Sequence, residues 1–130
     1  MQNPNELNND GIFFAQNGDY KKAISCFKKA IEIKNDNPLF WLNLGITYRD
    51  FNKIDLAIEA TLQAHKLDLQ NHEIANTLIQ LFINNSELER ATDLCQKILT
   101  ADDKNSKTWN LLGIIYFLFF GFLISLPCYA

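Results

Sequence analysis

The chain has 130 residues, 48% hydrophobic and 21% charged, a balance that belongs to a folded domain and not to a disordered tail. Twelve Lys and Arg against fifteen Asp and Glu leave a formal charge of -3, so no basic field exists to attract nucleic acid or an anionic membrane surface. Five Gly and three Pro are too few for a turn-rich sandwich or barrel, and three cysteines, Cys26, Cys95 and Cys128, lie in no C-x-x-C or Cys/His spacing that would build a disulfide framework or a zinc site.

The opening MQNPNELNND holds neither a basic segment nor an apolar run, which excludes a secretory signal peptide and points to the reducing cytoplasm. From there the apolar residues recur with helical spacing, predicting helices over 5–17, 20–34, 38–51, 54–67, 72–84, 88–101 and 106–120. The breaks Asn17-Gly18-Asp19, Phe51-Asn52-Lys53 and Asn85-Ser86-Glu87 carry turn and cap residues, and connections this short make the helices on either side antiparallel neighbours. The longer breaks, Lys34 to Asn37, Asp68 to Asn71 and Asp102 to Asn105, are polar, and Pro38 suits the first turn of the helix that follows. After Tyr116 the pattern changes to FLFFGFLISLPCYA, uncharged throughout.

A period of 34 residues underlies these elements. Aromatics return at Phe14, Tyr48, Phe82 and Tyr116, alanines at Ala23, Ala57 and Ala91, and glycines at Gly11, Gly45 and Gly113 with Ile79 in the third place. Trp41 and Trp109 are likewise equivalent. Gly45 and Ala57 are small where two helices of one hairpin cross, so Ile79 calls for a neighbouring reduction in volume, for which Ala75 is the candidate. Trp41 and Tyr48 supply bulk between hairpins, and Trp41→Ala is expected to cost about 3–5 kcal/mol as a core truncation.

A 34-residue helix-turn-helix with W-x2-L-G-x2-Y followed by Ala, an aromatic and Ala resembles the tetratricopeptide repeat. Trp41, Leu44, Gly45, Tyr48, Ala57 and Ala64 carry the motif, Trp109, Leu112, Gly113 and Tyr116 open another copy, and Gly11, Phe14, Gly18, Tyr20, Ala23, Phe27 and Ala30 another. Asp10, Ile79, Thr61 and Cys95 depart from it, and the closing Pro is missing from Asn35, Leu69 and Asp103. The resemblance implies an all-α fold, a right-handed superhelical solenoid of antiparallel helix hairpins with about three and a half repeats: 1–37, 38–71, 72–105, and the first helix of an incomplete fourth plus an apolar tail over 106–130.

It also implies a concave surface lined by the first helix of each repeat. Carried over residue by residue, the groove is Asn8, Asn9, Ile12, Ala15 and Gln16, then Leu39, Leu42, Asn43, Ile46, Arg49 and Asp50, then Glu73, Asn76, Thr77, Gln80, Ile83 and Asn84. A row of amides can hold a peptide backbone through paired donors and acceptors. Members that bind chaperone tails clamp a carboxylate with basic residues and an Asn; Asn43 matches that Asn, but Asn8, Ile12, Glu73 and Thr77 stand where the other clamp residues belong, so the cationic arms are absent. The lysines of the second helices, Lys21, Lys22, Lys28 and Lys29, read as a solvated convex face.

The expected function is a non-catalytic scaffold that binds another protein's extended peptide or helix, with no nucleic acid partner. The alternatives are an arm of a larger enzyme such as a glycosyltransferase, or a membrane-tethered assembly factor. No catalytic, cofactor or metal residue is assigned: His65 and His72 end one helix and begin the next without a ligand array, Cys26 and Cys95 read as inert thiols beside packing positions, and no phosphate loop, HExxH or GxSxG occurs. For the apolar segment three accounts stand: a truncated or frameshifted array, an anchor across the bilayer through residues 111–126, or a tail that folds back or docks on a partner.

Overall fold

The computed structural model describes residues 2–125, with side-chain surroundings for residues 2–121. Among the described residues are seven α-helices and no strand: α1 (Pro4–Gln16), α2 (Tyr20–Ile33), α3 (Pro38–Asp50), α4 (Ile54–Leu67), α5 (His72–Asn84), α6 (Leu88–Ala101) and α7 (Ser106–Ser125). The fold is an all-α helical repeat. Leu126 to Ala130, including Cys128 and the end of the expected apolar tail, lie outside the described residues.

The starts of the first helices have a local cause. The first helices of the pairs begin behind asparagines spaced 34 residues apart: Asn3 Oδ1 accepts from Asn5 N, Asn37 Oδ1 from Leu39 N, Asn71 Oδ1 from Glu73 N and Ile74 N, and Asn105 Oδ1 from Thr108 N, at 2.8–3.2 Å. An amide oxygen there satisfies N–H groups that the helix itself leaves unpaired, and Pro4 and Pro38 occupy positions where no N–H is needed. Four of the fifteen asparagines are therefore spent on these caps.

The turns inside the pairs share a second device. Gly18, Asn52 and Ser86, again 34 residues apart, hold φ of 80°, 61° and 61°. The next position in this series is Phe120. A bulky side chain is strongly disfavoured at positive φ, and the helix does not turn there: α7 continues to Ser125, five residues past the expected end at 120.

The chain divides into two units, Met1–Ile74 and Ala75–Ala130. In the first, α1 packs on α2, α2 on α3 and α3 on α4. The matched alanines Ala23 and Ala57 have no exposed surface, and Phe27 and Thr61 fill the same position of successive hairpins. A Cβ on Gly11 would sit 2.6 Å from the Phe27 ring; one on Gly45 would collide with Thr61 Oγ1 and lie 3.2 Å from the Ala57 carbonyl oxygen. Thr61 Oγ1 donates to that carbonyl at 2.8 Å, so its hydroxyl is satisfied inside the core.

In the second unit α6 packs on α7 and Ala91 is fully buried. Ile79 and Cys95 are fully buried as well, and Cys95 takes the position of Phe27 and Thr61. Ala75, the small residue expected to make room for Ile79, is buried at the place of Trp41 and Trp109, and by register Cys95 gives up further volume where Phe27 stands in the first hairpin. Arg90 lies over the Phe82 ring, 4.4 Å from its centroid, and ties α6 to α5.

Candidate functional site

The groove positions expected from sequence fall on first helices in both units. In the first unit, Asn9, Ile12 and Gln16 lie on α1 and Asn43, Ile46, Arg49 and Asp50 on α3. Asn9, Gln16 and Asp50 are exposed; Ile12, Asn43, Ile46 and Arg49 are half-buried. In the second unit Gln80 is exposed on α5, with Asn76 and Thr77 half-buried beside it.

The amides do not form one free row. Asn43 Nδ2 donates to Asn8 Oδ1 at 3.0 Å and joins α3 to α1, while the Asn43 carbonyl accepts from Thr47 Oγ1 at 2.8 Å. In the second unit Asn76 Oδ1 accepts from Thr108 Oγ1 at 3.0 Å and joins α5 to α7. Asn8 and Asn76 occupy the same repeat position, so in each unit this Asn accepts the bond that ties one first helix to the next. Each bond contributes about 0.5–1.5 kcal/mol. Asn43 thus acts in folding as well as in any recognition.

Other positions separate further. Leu42, taken with the groove, is 3% exposed and packs with Ala64 and Ile74, because a first helix must bury one stripe against α4 before it can present another; Ile46 and Trp41 lie against this cluster. Leu39 is exposed. Arg49 Nε donates to Asp50 Oδ1 at 3.2 Å, so the one cation of the α3 face is already paired with its neighbour. Lys21, Lys22, Lys28 and Lys29 on α2 are exposed, as expected of a solvated face.

A feature that the groove reading passed over lies on the opposite faces of the helices. Trp41, Leu44 and Tyr48 of α3 form the floor of an open cleft of about 640 Å³, walled by Lys28 and Ile31 of α2 and by α4. A smaller opening in the second unit is lined by Gln96, Leu99, Thr100, Trp109, Leu112 and Tyr116, which are the repeat equivalents of Lys28, Ile31, Glu32, Trp41, Leu44 and Tyr48. The recurrence of Trp, Leu and Tyr was visible in the sequence; that the surface opens differently in the two copies was not.

Burial pushes the Cys95 thiol up to about 11, and pushes the Cys26 thiol up with help from the Asp10 carboxylate against a smaller opposing pull from Lys29. Both thiols are free, and neither is biased toward the reactive thiolate. Among the described residues no group of three His, Cys, Asp or Glu is placed to hold a metal ion, and no helix is long and apolar enough to cross a membrane.

Comparison with known proteins meets this geometry at the repeat. The TPR repeat model matches residues 13–50. A TPR repeat-containing protein of Methanocaldococcus jannaschii is 31% identical over 103 residues, covering 79% of this chain, and the anaphase-promoting complex subunit CDC16 of Saccharomyces cerevisiae is 31% identical over 116 residues, covering 84%. This chain belongs to the tetratricopeptide repeat family. It spans 18% and 14% of the lengths of those two relatives. The same tetratricopeptide repeat fold is seen in the first TPR of Spaghetti (RPAP3) bound to the HSP90 peptide SRMEEVD, with a TM-score of 0.80 and 21% identity over 91% of this chain and 94% of that one.

Proposed function

We propose that the chain is a non-catalytic interaction scaffold that holds an extended or helical segment of a partner protein on the exposed face of its first helices. Its units are the hairpins 1–37, 38–71 and 72–105, with 106–130 opening a fourth, and it acts in the cytoplasm, in keeping with two free cysteines. The observation that carries the reading is the composition of the α1 and α3 face. Exposed Asn9 and Gln16 offer amide donors and acceptors beside half-buried Ile12 and Ile46, while Arg49 is engaged by Asp50. Asn76, Thr77 and Gln80 give α5 the same polar character.

The domain that holds SRMEEVD supports peptide capture by this fold. An acidic C-terminal tail is nonetheless the wrong ligand here, because Asn8 and Asn43 are bonded to each other and Ile12 is apolar where a clamp would need polar, cationic groups. The fitting ligand is an uncharged or mixed segment read through its main chain, with an apolar side chain against Ile12 and Ile46.

The test is selection of peptides from a displayed library on the immobilised full chain, followed by binding of the enriched peptides to Ile12→Glu and Gln16→Ala. Enriched peptides free of any acidic C-terminal requirement, with binding weakened in both variants at unchanged thermal midpoint, are expected. Equal binding to both variants refutes this face as the site.

A further inference from the structure

The two Trp-Leu-Gly-Tyr copies are built alike and covered unlike. Trp41 Nε1 donates to the Asn35 carbonyl at 2.9 Å, and Trp109 Nε1 donates to the equivalent Asp103 carbonyl at 2.7 Å, so both indoles are anchored in one way. Leu44 and Leu112 are buried to the same degree, at 4% and 5% exposure. The helix before is present in both copies, α2 against α3 and α6 against α7.

The difference lies on the other side. Tyr48 is 7% exposed and Tyr116 is 54%; Trp41 is half-buried and Trp109 is 51% exposed. Gly45 meets Thr61 and Ala57 of α4, whereas a Cβ on Gly113 would meet nothing within 4 Å. Trp109, Gly113 and Tyr116 follow the i, i+4, i+7 spacing of a single helix face, and on α3 that face is the one which α4 covers. The turn residue that brings α4 back onto α3 is Asn52; its counterpart is Phe120, and α7 runs straight on. Where the first copy has already turned into α4, the described residues of the last copy are still α7, up to Ser125.

We propose that the Trp109–Gly113–Tyr116 face of α7 is a docking site for an amphipathic helix of a partner polypeptide, seated antiparallel as α4 is seated on α3. The chemistry of this partner follows from α4: small side chains at i, i+4 and i+7, as in Ala57, Thr61 and Ala64, so that its backbone reaches Gly113, flanked by apolar residues that cover the anchored indole and the Tyr116 ring. Its flank toward α6 meets Gln96, Leu99 and Thr100, an uncharged wall, and so needs no charge. This site is separate from the α1 and α3 face and does not depend on it.

The probe is the chain's own segment 53–71 as a synthetic peptide, titrated into the full chain carrying Trp41→Phe so that Trp109 alone reports. A saturable blue shift of Trp109 emission is expected. Gly113→Leu fills open space, so it folds, yet it obstructs the seat and is expected to weaken the peptide about tenfold or more. A peptide with Leu in place of Ala57 tests the same contact from the other partner and is expected to bind more weakly by a similar factor. No saturable shift, or equal affinity for Gly113→Leu and the parent, overturns the proposal. Concentration-dependent self-association that buries Trp109 without peptide overturns it too, by assigning the face to a second copy.

Discussion

Gly45 and Gly113 occupy the same place in the repeat, yet replacing each by alanine is expected to move stability in opposite directions. At Gly45 the added methyl collides with Thr61 Oγ1 and presses on the Ala57 carbonyl oxygen at 3.2 Å and the Thr61 nitrogen at 3.3 Å. Two of these atoms are backbone and cannot rotate away, and the hydroxyl can move only by giving up its 2.8 Å bond to Ala57. Overpacking of this kind costs about 1–3 kcal/mol, while alanine regains about 1 kcal/mol of helix propensity. With the strained hydroxyl bond counted, Gly45→Ala is expected to be about 1–2 kcal/mol less stable than the parent. At Gly113 the methyl meets nothing, and the same propensity difference makes Gly113→Ala about 0.5–1 kcal/mol more stable. Urea titrations followed by far-UV circular dichroism give both differences from the shift in midpoint at constant slope. Adding Thr61→Ala to Gly45→Ala should return part of the loss. If Gly45→Ala proves as stable as the parent, the close crossing of α3 and α4 is wrong; if Gly113→Ala destabilises the chain, the open face of α7 is wrong.

Truncating the tryptophans should separate their surroundings: Trp41→Ala is expected to cost about 2–3 kcal/mol in the same titration, below the full core value because Trp41 is only half-buried, and Trp109→Ala about 1 kcal/mol. Ser86→Val places a β-branched residue at φ 61° and should lose about 1–2 kcal/mol, whereas Ser86→Gly should not destabilise the chain; midpoints from thermal melts decide this. The Cys95 thiol, held up at about 11, should resist a disulfide-exchange reagent at pH 8 in the folded chain and react at once in denaturant. Because its folded pKa lies above the ordinary value of 9.0, the unfolded chain loses the proton first, so stability should fall as pH rises between 9 and 11, and Cys95→Ser should flatten that fall. Glu87 runs the other way: its bonds from Asn85 and Arg90 hold the carboxyl below its usual value, so their contribution is present above the ordinary carboxylate range and fades as pH drops through the folded value, a trend that Glu87→Gln should abolish in acid titrations of the midpoint.

What the sequence determined by itself is the part of the molecule whose causes are local or periodic. Apolar spacing within each segment set the helices to within a residue at nearly every end, and the 34-residue recurrence of Asn caps, turn residues and buried alanines set their pairing. The residues of the candidate face were legible too, since the repeat assigns each first-helix position a side. What the sequence could not settle is how much of each side is used. Asn43 and Asn76 look like surface amides until a neighbouring helix offers Asn8 and Thr108 at 3.0 Å. Leu42 belongs to the core only because Ala64 and Ile74 are there to bury it. Trp109, Gly113 and Tyr116 repeat Trp41, Gly45 and Tyr48, and only the tertiary structure decides that the first set is open and the second covered. Burial belongs to a residue together with whatever packs on it: with Phe at 120 in the place of Gly18, Asn52 and Ser86, α7 runs on to Ser125, and among the described residues no second helix covers the stripe.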